Sequence, residues 1–590
     1  MYFSKGSYEA FAKPVHSGKA EGKSAYIIGS GMAALSAACF LVRDAGMAGG
    51  RIHILEKEHL PGGACDGYRF EEIGPIVRGD HKLDPYAVCL WDLLRSIPDP
   101  DGDGSVLDTC YALNQADPNY TLCRATEDRG TDAHLSGPYG LTDKGCEELF
   151  SLFISSDEAL ADKKVEDVLD EAVLGSNFWF YWKTLFGFHE THSALELKLS
   201  IRRYMALLKD IPDMRAFLYT RYNLYDSVVQ PVVKYLEQAG VRFHYGVHVT
   251  DVAYDCAMGR KMVTRIDTVE NGEDGCIDVT ERDLVFITLG SVAENSTRGS
   301  QDEAAPFHTE HVEGGSFELW RKIAAQDPSF GHPEVFCVRP EETNKMSATI
   351  TALDGKVLPY IKKICRRDPF SGKTVTGGIV TAKDSAWQLS WSVGRQPIFR
   401  DQDDGQCVIL LEALKTNVDG DYITKPMREC TGREICAEWL WHLGVPNELI
   451  DELAGAHIRT VPVMMPYLTS PLLPRVPGDR PDVVPEGARN FAFIGQFAET
   501  DRDAAMSVEY AVRTGMEAVY TLLEVDRGVP ETTGAAFDLR AVAEAASALR
   551  DGRSIRNMDL KRQRRLLIRS VIRQVRETDI EKLMKEYRIL

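Results

Sequence analysis

The sequence predicts an α/β fold whose first sheet is parallel, doubly wound and assembled from distant parts of the chain. Three observations carry this. Ala25 to Ile28 form a short apolar run that leads into Gly29-Ser30-Gly31-Met32-Ala33-Ala34, a fit to G-x-G-x-x-G/A. From Ala33 to Val42 the apolar residues take helical spacing, and Arg51 to Leu55 form a second apolar run ending at Glu56. Far downstream, Asn490 to Gln496 (NFAFIGQ) reads as a strand closed by glycine, followed by a helix over about Ala504 to Glu524. Strand, glycine turn, helix, strand, then an acid about 20 residues past the turn make a Rossmann-like dinucleotide unit. The late return points to the two-dinucleotide form of that fold, with a discontinuous cofactor domain.

Each position has a physical task. Gly29 permits a turn that a side chain would block, Gly31 lets the backbone approach a pyrophosphate, and Ala34 lets helix and strand pack closely. Met32 and Ala33 open the helix, whose unpaired N–H groups favour an anion. Glu56 is placed to accept from an adenosine ribose, with Lys57 beside it. Pro61-Gly62-Gly63-Ala64 gives a second glycine-lined approach directly after the second strand. Together with the late closing strand, it favours FAD as the dinucleotide.

Bulk properties narrow the class. A chain of 590 residues should divide into several domains, and a net charge of −20 argues against nucleic acid as the main partner. Thirteen cysteines, with no C-x-x-C pair, suggest reduced thiols rather than a disulfide frame or a zinc site. The opening MYFSKGSYEAFAKP lacks an apolar signal core, and no apolar run reaches membrane-spanning length, so the expectation is a cytoplasmic protein.

In chain order, residues 1–22 read as a polar arm lying on a partner or on the chain itself. The discontinuous FAD domain is expected over 23–135, 210–330 and 486–525, with Arg242 to Val252 and Asp283 to Leu289 as strands. Arg78-Gly79-Asp80-His81-Lys82-Leu83-Asp84-Pro85 packs five ionisable groups into a loop, followed by a helix over Ala87 to Ser96. Residues 136–209 form a helical segment whose aromatics (Phe178 to Trp182, Phe186) suit a core or the wall of an apolar tunnel. The substrate domain takes 331–485, with strands near Val375–Thr381, Ala386–Val393 and Cys407–Ala413, and a helix over Gly432–Leu443. Pro462 to Pro485 reads as a proline-rich loop between domains. In the helical region 526–590, the tail from Arg553 to Leu590 holds twelve Lys/Arg against five Asp/Glu. Leu567, Val571 and Val575 give it one apolar face, suited to an anionic membrane surface.

The chain resembles the oleate hydratase family, also called myosin-cross-reactive antigens. Ser7–Phe11, Ala25–Gly67, CLWDLLRSIP at Cys89–Pro98 and DPNYTLCRAT at Asp117–Thr126 carry the resemblance. So do SNFWFYWKTLFGF at Ser176–Phe188, YNLYDS at Tyr222–Ser227, KPMRECTGREI at Lys425–Ile435 and IGQFAETDRD at Ile494–Asp503. The resemblance implies non-covalent FAD, active when reduced and not consumed, an unsaturated fatty acid substrate, and a homodimer. By position it also assigns Gly29, Gly31, Met32, Ala33, Glu56, Lys57, Gly62, Gly63, Ala64, Arg78, Val249, Ser291, Phe497, Ala498 and Glu499 to the flavin.

At the chemistry positions the chain departs from the family. The family's R-G-G-R-E-M is Arg78-Gly79-Asp80-His81-Lys82-Leu83 here, so Lys82 stands where the water-activating glutamate is expected. Ser200 stands at the position of the protonating tyrosine. The carboxylate-binding T-x-N-R-Q-P-H becomes Ser392-Val393-Gly394-Arg395-Gln396-Pro397-Ile398, without the asparagine and the histidine. Hydration of an alkene needs an acid at one carbon and a base to activate water at the other. Tyr204, one helical turn beyond Ser200, is a candidate acid. Asp80 and Asp84, two residues either side of Lys82, are candidate bases, and His81 titrates near neutrality. The expected activity is hydration of the cis double bond of oleate or linoleate. The rivals are double-bond isomerisation by the same scaffold and a non-catalytic flavin- and lipid-binding protein.

Overall fold

The computed structural model describes residues 13–65, 67–70, 74–79, 82–135, 138–257, 259–310, 314–500, 503–532, 538–555, 572–574, 576 and 578–590. Asp80, His81, Leu567, Val571 and Val575 therefore lie outside the described residues.

The strand β1 (Ser24–Ile28) is the centre of a five-stranded sheet. β2 (Ile52–Glu56) and then Arg242–Tyr245 lie on one side, Asp283–Thr288 and then Phe491–Ile494 on the other. All four pairings are parallel. Parallel pairs need crossovers that cover both faces, which is why these strands read as unbroken apolar runs: Phe491–Ile494 is buried at every position. The first crossover is α1 (Met32–Arg43), rich in alanine and buried from Met32 to Leu41. It packs on the helix Val508–Leu523 through Gly515, where an added Cβ would stand 2.5 Å from Ser36 Oγ and 2.7 Å from the Ala33 carbonyl. The distant closing segment is thus held to the first helix by the absence of a side chain.

A second sheet of eight strands runs in the order Thr297–Arg298, Ile458–Met465, Lys345–Ala352, Cys407–Ala413, Leu389–Ser392, Val380–Ala382, Ala125–Glu127, Thr131–Asp132. The proline-rich stretch begins inside it, since Pro462 belongs to Ile458–Met465 rather than to a loop. The Pro462 carbonyl accepts from Gly299 N–H at 2.9 Å, so its backbone faces the two-residue edge strand, where a missing N–H breaks little of the ladder. Antiparallel alternation splits the central strands cleanly. Met346, Ala348, Ile350, Leu411 and Trp391 point into a core with the helix Gly432–His442. Lys345, Ser347, Thr349, Glu412, Ser390 and Ser392 take the opposite face, where Thr349 Oγ1 accepts from Val77 N–H at 2.9 Å. That polar face looks toward the segment after the first dinucleotide unit.

A third core gathers the helical segment, with Phe178, Trp179, Tyr181 and Trp182 fully buried and Phe186 partly so. The described part of the N-terminal arm lies on the chain itself: Asp526 N–H donates to the Val15 carbonyl at 3.2 Å, and Ser17 Oγ to that of Leu523. No helix among the described residues is long and apolar enough to cross a membrane.

Candidate active site

The glycine turn is built as a cradle. Gly29 has φ +93° and its N–H bonds the Leu55 carbonyl at 2.8 Å, locking the turn to β2. Gly62 and Gly63 also have positive φ, and Gly62 N–H donates to the Ser30 carbonyl at 2.9 Å, so the two glycine segments run side by side. A Cβ added at Gly63 would meet Gly31 Cα at 3.2 Å, whereas one at Gly31 would meet nothing within 4 Å. The space above Gly31 is therefore open, at a helix start that has no side-chain cap and no acid in its first turn. Those uncapped N–H groups fit a pyrophosphate. Glu56 accepts from Ser30 N–H (2.8 Å), Ser30 Oγ (2.6 Å) and Glu58 N–H (2.8 Å). A carboxylate has about four acceptor positions, so one remains for a ribose hydroxyl.

Of the other cofactor candidates, Arg78 contacts the second glycine segment directly. Arg78 Nη2 donates to the Gly63 carbonyl at 2.8 Å, and Lys57 Nζ reaches the Gly314 carbonyl at 3.4 Å. Ala64 packs against the cofactor-domain core, Val249 is buried in Val247–Ala257, and Ser291 Oγ accepts from Ala293 N–H at 3.2 Å. Phe497 packs edge-on or tilted against Phe317, Trp320 and Phe336, and the Ala498 carbonyl accepts from Tyr510 at 2.7 Å. Glu499 is paired with Arg475 (2.9 Å).

The helix Ala194–Tyr204 and the loop ending at Asp84 are joined by a buried ion network. Arg203 bonds Asp84 Oδ2 at 3.0 Å and Asp503 Oδ1 at 3.0 Å, while Arg513 bonds Asp503 and Glu509. Burial raises the Asp84 pKa, against the pull of Arg203, which lowers it. Leu83 pairs with Leu218 by two backbone hydrogen bonds of 3.1 and 2.8 Å, which fixes the backbone next to Lys82. Ser200 Oγ accepts from Trp182 Nε1 at 3.2 Å. Tyr204, two turns after Glu196, packs on Phe186 with ring centres 4.5 Å apart, and burial followed by the nearby Asp84 charge pushes its hydroxyl pKa well up. Glu196, Ser200 and Tyr204, at i, i+4 and i+8, line a small cleft with Phe186, Phe188 and Leu472. Tyr204 and Ser200, one helical turn apart, thus face the same space.

The four substrate-binding candidates lie on or beside the polar sheet face. Ser392 is buried in Leu389–Ser392, and Gly394 offers its carbonyl to Gln396 Nε2 at 3.4 Å. Gln396 precedes a cis proline and clamps Val408 through both backbone groups, at 3.0 Å each. Ile398 is buried with Val77, Phe399, Val408 and Leu410. Arg203, which no motif singles out in the sequence, is the buried link between Asp84 and Asp503.

A family model for the MCRA family matches residues 22–520. The chain belongs to the MCRA family. Within the family's reach it is 41% identical over its whole length, and the whole of the relative, to a protein named oleate hydratase from Streptococcus pyogenes serotype M49 (strain NZ131). It is 26% identical, over 84% of this chain and 93% of the relative, to a protein named linoleate hydratase from Lactiplantibacillus plantarum. Among solved structures, cyclohexylamine oxidase from Brevibacterium oxydans IH-35A overlays 85% of this member of the family and 99% of its own chain, at 12% identity and TM-score 0.49.

Proposed function

We propose that the chain is a FAD-binding fatty acid hydratase, adding water across the cis double bond of oleate or linoleate. The observation that carries this reading is the full-length similarity to a protein named oleate hydratase. The open cradle at Gly31 and the cleft beside Tyr204 give that reading its two sites. FAD, held without a covalent bond by the cradle residues and active when reduced, orders the site and is not consumed. Tyr204 is the acid: its raised pKa keeps the proton on the hydroxyl until the alkene carbon takes it. The acyl carboxylate is held along the polar sheet face near Ser392 and Gln396, and the loop through Lys82 and Asp84 covers the reacting carbons. The protein works as a homodimer in the cytoplasm, and its basic tail touches an anionic membrane.

The test is direct. Reduced holoprotein is incubated with oleate and with linoleate in heavy water, and the lipids are analysed by mass spectrometry. Addition of one water mass supports the hydratase. Deuterium gained without a change of formula, with a conjugated-diene absorbance, replaces it with isomerisation, the outcome that Lys82 at the glutamate position favours. Unaltered lipid leaves a binding protein. Tyr204→Phe should lower turnover by about 10²–10⁴-fold with flavin retained.

A further inference from the structure

We propose that Asp421, Glu438 and His442 form a binding site for a divalent transition-metal ion, with Zn²⁺ the ion that suits them best. None of the three lines the cleft beside Tyr204, so the site stands independently of the hydratase reading. Glu438 and His442 lie one turn apart on the helix Gly432–His442 and share a face. Asp421 comes to them from the loop before that helix. His442 Nε2 stands 3.2 Å from Glu438 Oε1 and 3.2 Å from Asp421 Oδ2, and all three donor atoms lie within 4.8 Å of one another. Neighbouring ligands of a tetrahedral ion with bonds of about 2.0–2.1 Å are about 3.3 Å apart, the spacing found here.

Hydrogen bonding does not account for the cluster. The His442 side chain is 3% exposed, yet neither of its ring nitrogens makes a hydrogen bond. Nε2 lies close to both carboxylate oxygens and is aligned on neither. The carboxylates keep one acceptor position on the atoms that face it. Glu438 Oε2 is filled by the N–H groups of Tyr422 and Ile423, whereas Oε1 accepts only from Asp421 N–H, at 2.8 Å. Asp421 Oδ2 accepts from Ala386 N–H at 2.9 Å and has one position left. Two carboxylates this close repel each other, and a divalent cation cancels both charges while taking the imidazole lone pair. His442 is also the last residue of its helix, the end that favours a cation.

The surroundings supply access and support. Glu438 is fully buried, but the Asp421 side chain is 30% exposed, so an ion and a water as fourth ligand enter from that side. The backbone N–H groups on both carboxylates hold the ligands in place, as supporting hydrogen bonds do around metals. One imidazole nitrogen with two carboxylate oxygens is a Zn²⁺ donor set, whereas Mg²⁺ prefers oxygen alone. The ion joins three segments: the helix, the loop through Asp421, and the turn at Ala386 that leads into Leu389–Ser392. Its role is to staple the large sheet's surroundings rather than to take part in chemistry.

The test uses the full-length protein, stripped with a chelator and desalted. Reloaded with Zn²⁺ and desalted again, it should retain one equivalent by elemental analysis and melt at a higher temperature. Mg²⁺ should do neither. Co²⁺ should give the visible bands of a tetrahedral N/O site, without the near-ultraviolet thiolate band that cysteine ligation adds. Asp421→Asn, at the exposed ligand, should keep the parent's circular dichroism and weaken Zn²⁺ by at least about tenfold. His442→Gln should weaken it likewise, and should it fail to fold, Asp421→Asn decides alone. No retained Zn²⁺ with a melting temperature indifferent to it would leave His442 a charge partner of Glu438 and overturn the site. A thiolate band as the sole Co²⁺ signal, or equal affinity in parent and Asp421→Asn, would overturn it as well.

Discussion

Asp84 accepts from Arg203 and from the Tyr86 N–H, so its oxygens are engaged before any substrate arrives. Removing one partner of a buried pair leaves the other uncompensated and costs about 3–5 kcal/mol. Asp84→Asn should therefore lower the urea midpoint markedly, with Asp503 retaining part of the Arg203 pairing. A variant with normal stability and no turnover would instead assign Asp84 to chemistry. His189 and His192 give a second prediction. Burial, then the nearby charges of Lys345, Lys183 and Lys415 against that of Glu190, lowers His189 to about 4; burial, then His189 and Lys345, lowers His192 well below its ordinary value. Between pH 6.5 and that range the unfolded chain binds more protons than the folded one, so stability is present at neutral pH and falls with acidification. At pH 5 His189 alone should remove about 2 kcal/mol relative to pH 7. Urea melts of the parent and of His189→Asn at both pH values measure it, and the variant should lose less.

At the scale of elements, two glycines with different surroundings should respond oppositely. Gly31 has an ordinary φ of −69° and open space at its Cβ direction. Gly31→Val should leave stability within about 0.5 kcal/mol while filling the space a pyrophosphate needs, so the purified variant should carry no flavin. Gly515→Ala pushes a methyl group onto the Ala33 carbonyl across the helix pair, an overpacking that costs about 1–3 kcal/mol. It should retain flavin below a lowered melting temperature. Absorbance at the flavin band and thermal melts on both variants separate binding space from packing. The helix Gly432–His442 illustrates the opposite case, in which local sequence suffices: Thr431 and Glu434 form a reciprocal capping box at its start.

At the scale of the whole molecule, the parallel sheet, the large sheet and the helical segment have separate cores. A ligand that binds only the folded form adds RT ln(1 + [L]/Kd), about 2.7 kcal/mol at a hundredfold excess over Kd. Added FAD should raise the melting temperature of flavin-stripped protein, and should leave that of Gly31→Val unchanged. Besides facing Asp421 and His442, Glu438 accepts from the N–H groups of Asp421, Tyr422 and Ile423, which makes it a clamp on that loop.

The sequence by itself determined the parallel sheet, the glycine turns and the family, because each rests on local spacing or on long contiguous motifs. It also raised the expectation of departures from the family pattern at Lys82 and Ser200, since a departure from a motif is visible without coordinates. Only the tertiary structure decided that Asp84 serves Arg203, that Tyr204 and Ser200 share a cleft, and that Glu412 reaches Gly79. These facts depend on which strands pair and on which face each residue then takes. Val461 and Glu412 lie 49 positions apart by number, yet both line the polar-side face because two antiparallel ladders flank Lys345–Ala352. Spacing along a chain sets the face within one element, whereas pairing between elements sets what that face meets.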